Sequence, residues 1–126
     1  MNKNIIPVVV IGVVLVALLA VVVATTKTNE GNKVNLDEFA QCLASKNITM
    51  YGAEWCSHCK EEKAGFGNSF KYVPYVECTV ETQKCIDSGV DSYPTWIFPD
   101  GKKLIGIQGI RKLSEESGCS LPPGAQ

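Results

Sequence analysis

The segment Cys56-Ser57-His58-Cys59 constrains this chain more than any other stretch of its sequence. It follows a short apolar run and precedes a segment rich in lysine and glutamate, whose composition favours a helix. The first thiol of such a pair lies over unpaired N–H groups at the helix start, where the helix dipole favours a thiolate. His58 is partly cationic near neutral pH and adds to that effect. The sequence therefore predicts a dithiol that closes and reopens a disulfide.

Residues 5–24 form an uncharged run made almost entirely of Val, Ile, Leu and Ala. A helix of this length spans a hydrocarbon core of about 30 Å. The apolar region of a cleaved signal peptide is usually shorter, about 7–15 residues, although Val22-Val23-Ala24 provides a cleavage site. The run also lacks the polar positions at helical spacing that a core helix would show. We predict a transmembrane signal anchor at 5–24, preceded by a short flank at 1–4.

The six cysteines bear on the compartment in which the folded part works. In a reducing cytosol that number would suggest metal binding, whereas in an oxidising compartment it suggests disulfides. Lysines flank the apolar run on both sides, so charge alone does not set its orientation. The cysteines favour a single-pass cell-membrane protein whose soluble domain lies on the extracytoplasmic side. The net charge of -1 and the lack of a basic cluster argue against nucleic acid as a partner.

The rest of the chain divides into a polar tether at 25–35, a folded domain at 36–119 and a tail at 120–126. Apolar spacing and turn residues predict alternating helices and strands, which is typical of the α/β class. We expect a mixed sheet with helices on both faces, a central strand before the cysteine motif, and a hairpin around Asp100-Gly101. The predicted elements are a helix between Asn35 and Ser45, a strand at 48–53, a helix at 60–66, a strand at 72–78, a helix at 81–88, strands at 95–98 and 103–107, and a helix at 112–117.

Two segments together resemble the thioredoxin superfamily. Ala53-Glu54-Trp55-Cys56, completed by Cys59, matches the active-site segment of that family, and Ser92-Tyr93-Pro94-Thr95 matches its cis-proline loop. Four stretches are more similar still to the thioredoxin-like domain fused to bacterial homologues of vitamin K epoxide reductase: 39–43, 50–53, 70–78 and 92–96. In those proteins the domain relays electrons from secreted proteins to a four-helix membrane domain that reduces quinone.

This resemblance implies roles for the residues around the motif. Cys56 would be the attacking nucleophile and Cys59 the resolving thiol. Pro94, in cis, would pack beside them, and Tyr93 would offer backbone groups to an extended substrate. From its position beside the motif, Trp55 is expected to shield the disulfide and form part of the docking face, and a plain core residue is the alternative.

One position departs from the pattern of cytosolic thioredoxins. They carry a buried aspartate six residues before the first cysteine, where this chain has Met50. Deprotonation of Cys59 would then rely on water or on Glu54.

The other four cysteines leave several pairings open. The resemblance suggests a second pair, Cys78 and Cys85, that is structural or relays electrons, and two buried free thiols are the alternative. Cys42 and Cys119 would form a third bridge, or Cys42 would pack as a small buried side chain. Four cysteines allow three connectivities, and the sequence alone does not select one.

A Cys-x-x-Cys is also half of a zinc site, which would need a second pair of ligands. Cys78 and Cys85 are not spaced as such a pair, and His58 is the single histidine. We therefore predict a redox site with no metal and no organic cofactor.

Taken together, the sequence predicts a membrane-anchored, extracytoplasmic thiol–disulfide oxidoreductase of oxidative protein folding. Its substrates would be protein dithiols and disulfides. The resemblance adds a separate quinone-reducing membrane protein of the vitamin K epoxide reductase type, because this chain has one candidate span and not four. The alternatives are a disulfide reductase or isomerase and, from a different class, a module that binds a client or a metal such as copper without turnover.

Overall fold

The computed structural model describes residues 10–18 and 34–125. The chain divides into two units, Met1–Lys33 and Val34–Gln126. In the first unit, residues 10–18 are helical and their side chains are exposed. The rest of the predicted anchor at 5–24, and all but the last two residues of the predicted tether at 25–35, lie outside the described residues. Within the described ranges, no helix is both long and apolar enough to cross a membrane.

The second unit alternates helices and strands, as the sequence pattern predicts for the α/β class. Its elements in chain order are α1 (Asp37–Ser45), β1 (Thr49–Gly52), α2 (Ser57–Phe66), a 3₁₀ helix (Gly67–Tyr72), β2 (Tyr75–Glu77), α3 (Thr82–Asp87), β3 (Thr95–Ile97), β4 (Lys103–Ile105) and α4 (Gly109–Ser117).

The four strands form one mixed sheet in the order β2-β1-β3-β4. Strand β1 lies in the interior of the sheet, parallel to β2 and antiparallel to β3. Met50 is paired with Tyr75 on one side and with Trp96 on the other. Strands β3 and β4 form the antiparallel hairpin. The prediction of a mixed sheet is confirmed, and the strand that leads into the cysteine motif is central.

Helices cover both faces of this sheet. Successive side chains on a strand point to opposite faces, so Met50 and Tyr51 belong to different faces. Met50 packs in the larger core cluster with Trp96 and with side chains of three helices: Phe39 from α1, Phe66 from α2 and Leu113 from α4. Tyr51 packs in a smaller cluster with Val76, Cys78 and Cys85, and Cys85 belongs to α3.

Strand β2 is shorter than the predicted strand at 72–78 because a 3₁₀ helix extends to the start of the predicted range. Residues Gly67–Tyr72 form the 3₁₀ helix, and pairing with β1 begins only at Pro74, whose carbonyl accepts the Met50 N–H at 2.9 Å. Proline offers no N–H to a sheet, so the strand starts where this residue is tolerated.

Two helices begin earlier than predicted because hydrogen bonds to side chains outside each predicted helix stabilise its first turn. Helix α2 starts at Ser57, and Cys56 is its N-cap. Helix α4 starts at Gly109, whose N–H donates to the carboxylate of Glu62 at 3.1 Å. The predicted tail also joins the fold, since Leu121 packs against the larger core cluster.

Candidate active site at the Cys56–Cys59 motif

The two cysteines of the motif lie at the N-terminus of α2, directly after the central strand. Cys56 has an extended backbone, and its sulfur accepts the N–H of Cys59 at 3.1 Å. Both are free thiols, and the Cys59 thiol donates to the Cys56 sulfur across 2.6 Å. The sulfurs therefore need only a small movement to reach disulfide geometry when an incoming disulfide takes up the two electrons.

The two thiols differ in their access to solvent. Cys56 is 7% exposed, whereas Cys59 is fully enclosed at 0%. Burial raises the pKa of the Cys59 thiol from its ordinary 9.0 to about 11, and its hydrogen bond to Cys56 acts in the same direction. Near neutral pH, Cys59 keeps its proton and shares it with the Cys56 sulfur. An incoming disulfide meets Cys56 first.

An exposed aromatic surface adjoins the motif. Trp55 is 68% exposed, and its ring meets that of Tyr93 edge-on with centroids 6.0 Å apart. The Tyr93–Pro94 peptide bond is cis. Hydrogen bonds tie this loop to the sheet, because the Pro94 carbonyl accepts the N–H of Gly106 at 2.8 Å and Thr95 Oγ1 donates to the Ser92 carbonyl at 2.7 Å. The structure thus brings the predicted loop at 92–95 next to the cysteine motif.

The other predicted modulating residues lie at the surface of the motif. His58 is exposed on the first turn of α2, and Glu54 is exposed in the loop before it. The backbone N–H of Glu54 donates to Glu77 Oε1 at 3.0 Å. This bond fastens the loop that carries the motif to the end of β2.

Behind Cys59, the groups that the structure supplies differ from those that sequence reasoning expected. Met50 is completely buried and apolar, so it offers no proton acceptor. A methyl group built on Gly52 would lie 2.9 Å from Cys59 Sγ and 3.1 Å from the hydroxyl of Tyr75. That hydroxyl donates to Glu77 Oε2 at 2.7 Å. The sequence pattern places Tyr75 and Glu77 on a strand but gives no sign that they face the resolving thiol.

Glu62 is a second residue that sequence reasoning missed. A glutamate in this segment rich in lysine and glutamate is expected on the solvated side of the helix, yet Glu62 is 2% exposed. Its carboxylate accepts from Trp96 Nε1 at 2.8 Å and from the N–H groups of Gln108 and Gly109 at 3.2 and 3.1 Å. A signal was present in the helical spacing, because Glu62 is three residues after Cys59 and four before Phe66, and both of these are buried.

The remaining four cysteines form two disulfides, Cys42–Cys119 and Cys78–Cys85. Both residues of the second pair are buried, with exposures of 4% and 2%. The pairing also removes Cys78 and Cys85 as thiolate ligands of a zinc ion. Among residues 10–18 and 34–125, no cluster of three or more His, Cys, Asp or Glu side chains is arranged to hold a metal.

The fold and the cysteine pair define a thioredoxin-like class of protein. A family model described as thioredoxin matches residues 30–116, which is more than half of the chain. The chain therefore belongs to the thioredoxin family.

Several known proteins are similar to this chain. Thiol-disulfide oxidoreductase LTO1 of Arabidopsis thaliana is 41% identical over 91 residues, which cover 65% of this chain and 24% of that protein. A protein disulfide-isomerase of Aspergillus niger is 32% identical over 111 residues, which cover 78% of this chain and 22% of that protein. The chain thus matches less than a quarter of the length of either relative. The solution structure of oxidised thioredoxin from Plasmodium falciparum aligns with 64% of this chain and 88% of its own, at 18% identity and a TM-score of 0.44.

Proposed function

We propose that this protein is a thiol–disulfide oxidoreductase that acts on other proteins through Cys56 and Cys59. The observation that carries the proposal is the asymmetry of the pair: one sulfur caps a helix near the surface, and the other lies buried 2.6 Å behind it. Exchange runs in either direction through a mixed disulfide on Cys56, and in the direction that reduces a client the Cys56 thiolate forms it by attacking the client disulfide. Cys59 then attacks Cys56 and releases the client. Relatives named thiol-disulfide oxidoreductase and protein disulfide-isomerase support this activity.

Trp55, Tyr93 and Pro94 form the docking face in this proposal. The two rings adjoin the motif, and Trp55 is an exposed aromatic side chain of the kind that anchors protein partners. A client chain lying across Trp55 would present its sulfur to Cys56.

The direction that we propose is donation of a disulfide to reduced clients. Cys56 caps the N-terminus of α2, where the helix dipole favours a thiolate, and His58 lies in the first turn of the same helix, where an imidazolium would act in the same direction. Both effects stabilise the reduced form and therefore make the disulfide form a stronger oxidant. An isomerase is the second candidate, favoured by the relatives that bear that name. Refolding of a client with scrambled disulfides, in the absence of any net oxidant, separates the two activities.

We further propose that the protein is anchored in the cell membrane by residues 5–24 and works on the extracytoplasmic side. Two disulfides outside the motif support an oxidising compartment, and the uncharged apolar run supports an anchor. A membrane-impermeant thiol reagent should label reduced Cys56 in intact cells. Labelling only after the cytoplasm is opened would overturn this orientation.

The oxidised form must be regenerated by an acceptor outside the motif. The resemblance to domains fused to vitamin K epoxide reductase homologues points to a separate quinone-reducing membrane protein. If both proteins are confined to one membrane, the polar segment at 25–35 raises their effective concentration.

Removal of the resolving thiol tests this partner, because the mixed disulfide on Cys56 then persists. We expect Cys59→Ala to accumulate a reducible adduct with an integral membrane protein on a non-reducing gel. Cys56→Ala is the matched control and should trap far less. Recovery of soluble clients alone, from cells that contain such a membrane enzyme, would contradict the relay and leave the isomerase ahead.

A further inference from the structure

The sulfur of Cys59 and the hydroxyl of Tyr75 both lie close to the α-carbon side of Gly52 where a side chain would begin. Both lie about 3 Å from the point that a β-carbon on Gly52 would occupy, at 2.9 and 3.1 Å. Cys59 is fully buried there, and Met50 on the same strand is apolar. Tyr75 is therefore a polar group in the neighbourhood of the resolving thiol.

Glu77 holds the Tyr75 hydroxyl in a defined orientation. Tyr75 donates its proton to Glu77 Oε2 at 2.7 Å, which leaves its oxygen free to accept a proton from elsewhere. The other oxygen of Glu77 accepts from Glu54 N at 3.0 Å, Thr79 N at 3.3 Å and Thr79 Oγ1 at 2.8 Å. Burial disfavours the ionised form of Glu77, yet the hydrogen bonds outweigh it and lower the pKa of this carboxyl. Burial, together with the bond to Glu77, raises the pKa of Tyr75.

Lys63 completes the cluster from α2, one helical turn beyond Cys59. Its ammonium lies 3.5 Å from the centre of the Tyr75 ring. The positive charge opposes the effect of burial on the Cys59 pKa. The charged and titratable groups that act on Cys59 are thus Cys56 and Lys63, Tyr75 lies near it beside Gly52, and Glu77 is bonded to Tyr75.

We propose that Tyr75, oriented by Glu77, takes up the proton of Cys59 when this thiol resolves a mixed disulfide on Cys56. This inference rests on the exchange reaction proposed above. The S–H bond of Cys59 breaks as its electron pair forms the bond to Cys56, and the client sulfur leaves as a thiolate. The proton passes to Tyr75 Oη, and the hydroxyl proton of Tyr75 passes to Glu77 and on to solvent. Two electrons move from the cysteine pair to the client, so no other oxidant is needed.

The same groups serve the reverse direction. When a reduced client opens the disulfide by attacking Cys56, the sulfur of Cys59 leaves with the electron pair. Tyr75 then returns a proton to it from Glu77. The buried thiol is reprotonated without a water molecule entering beside Met50.

Single-turnover kinetics on the full chain test the relay. Reduced protein is mixed with a peptide disulfide and quenched with acid, and mass spectrometry follows the reduced, mixed-disulfide and oxidised forms. Tyr75→Phe removes the hydroxyl and keeps the ring beneath Lys63. We expect the mixed disulfide to form at an unchanged rate and to decay about a hundredfold more slowly, near the lower end of what a positioned acid–base group contributes. The decay should also become proportional to hydroxide concentration, since solvent must then take the proton.

Two further variants guard against a merely structural effect. Glu77→Gln should slow the same second step. Tyr72→Phe is the matched control, because Tyr72 also lies beneath a lysine, Lys71, but belongs to the 3₁₀ helix. We expect the mixed disulfide of this variant to decay at the wild-type rate.

The outcomes are distinguishable. Wild-type decay in Tyr75→Phe, or equal slowing of both steps with a lower melting temperature, would overturn the relay and leave the exchange reaction standing. A wild-type protein that forms no mixed disulfide on Cys56 would overturn the proposed function and the relay with it.

Discussion

The indole nitrogen of Trp96 donates a 2.8 Å hydrogen bond to Glu62 Oε1, and both side chains are buried. Glu62 lies one turn beyond Cys59 on α2, and Trp96 lies two residues beyond Pro94 on β3. The bond therefore connects the helix that carries the thiols with the strand that follows the docking loop. The same carboxylate accepts the N–H of Gly109 and so holds the start of α4.

We expect Glu62→Ala to destabilise the protein strongly. It leaves three buried or half-buried N–H donors without their acceptor, which costs about 3 kcal/mol or more, since an unpaired buried polar group costs at least about 1 kcal/mol. Glu61→Ala, on the exposed side of the same helix, should change stability by no more than about 0.5 kcal/mol. Urea unfolding measures both. Equal midpoints for the two variants would contradict the role of Glu62.

The sequence was informative where chemistry is local. The dithiol, the proline loop and the central strand could each be recognised from neighbouring residues, and the mixed sheet followed from the alternation of helices and strands. The burial of Glu62 could not be recognised in this way, because the N–H groups that donate to its carboxylate are 34 to 47 residues away in the sequence.

The groups behind Cys59 could not be predicted from the sequence, for a different reason. The sequence predicts that water or Glu54 assists the deprotonation of Cys59. The structure adds Tyr75 near Cys59, with Glu77 bonded to it, through parallel pairing of β2 with β1. Register between strands places Tyr75 beside Met50, and no local pattern records that register.

A pair of glycine substitutions should give opposite results. In Gly52→Ala the new methyl group would lie 2.9 Å from Cys59 Sγ, so the sulfur or Tyr75 must shift, at about 1–3 kcal/mol for an overpacked site. Gly65→Ala, inside α2 with open space around the new methyl group, should stabilise by about 0.5–1 kcal/mol. Thermal unfolding measures the stability of both variants. A stabilised Gly52→Ala variant would show that the contact over Gly52 is not tight.

The two disulfides outside the motif should differ in their contribution to stability. Cys42–Cys119 closes a separation of 77 residues and Cys78–Cys85 one of 7. Loop-closure entropy then predicts about 4–5 kcal/mol for the first and about 2–3 kcal/mol for the second. Guanidinium unfolding of the two double-alanine variants tests the ranking, and a larger loss for the short loop would reverse it.

The reduced protein should lose stability at alkaline pH through Cys59. Its pKa is about 11 in the fold against an ordinary 9.0, so the folded state holds this proton more tightly than the unfolded state. The resulting stabilisation is complete below pH 9.0 and disappears as pH rises toward about 11. The stability difference between reduced wild type and Cys59→Ala should fall over that interval.

The oxidised protein is the control for this titration, because a disulfide has no thiol proton. Its stability relative to Cys59→Ala should lack the same decline. A difference that stays constant for the reduced protein would mean that burial does not hold the Cys59 proton.

The most direct measurement follows every cysteine pair during one turnover. Oxidised protein is mixed with a reduced dithiol peptide, quenched with acid and alkylated, and mass spectrometry reads the state of each pair. We expect Cys56 and Cys59 to become reduced as fast as the peptide is oxidised, while the two other disulfides stay bonded, and Cys56→Ser to abolish the reaction. Peptide oxidation that persists in Cys56→Ser, or that consumes Cys78–Cys85 in place of the motif, would contradict the assignment of Cys56 and Cys59 as the exchanging pair.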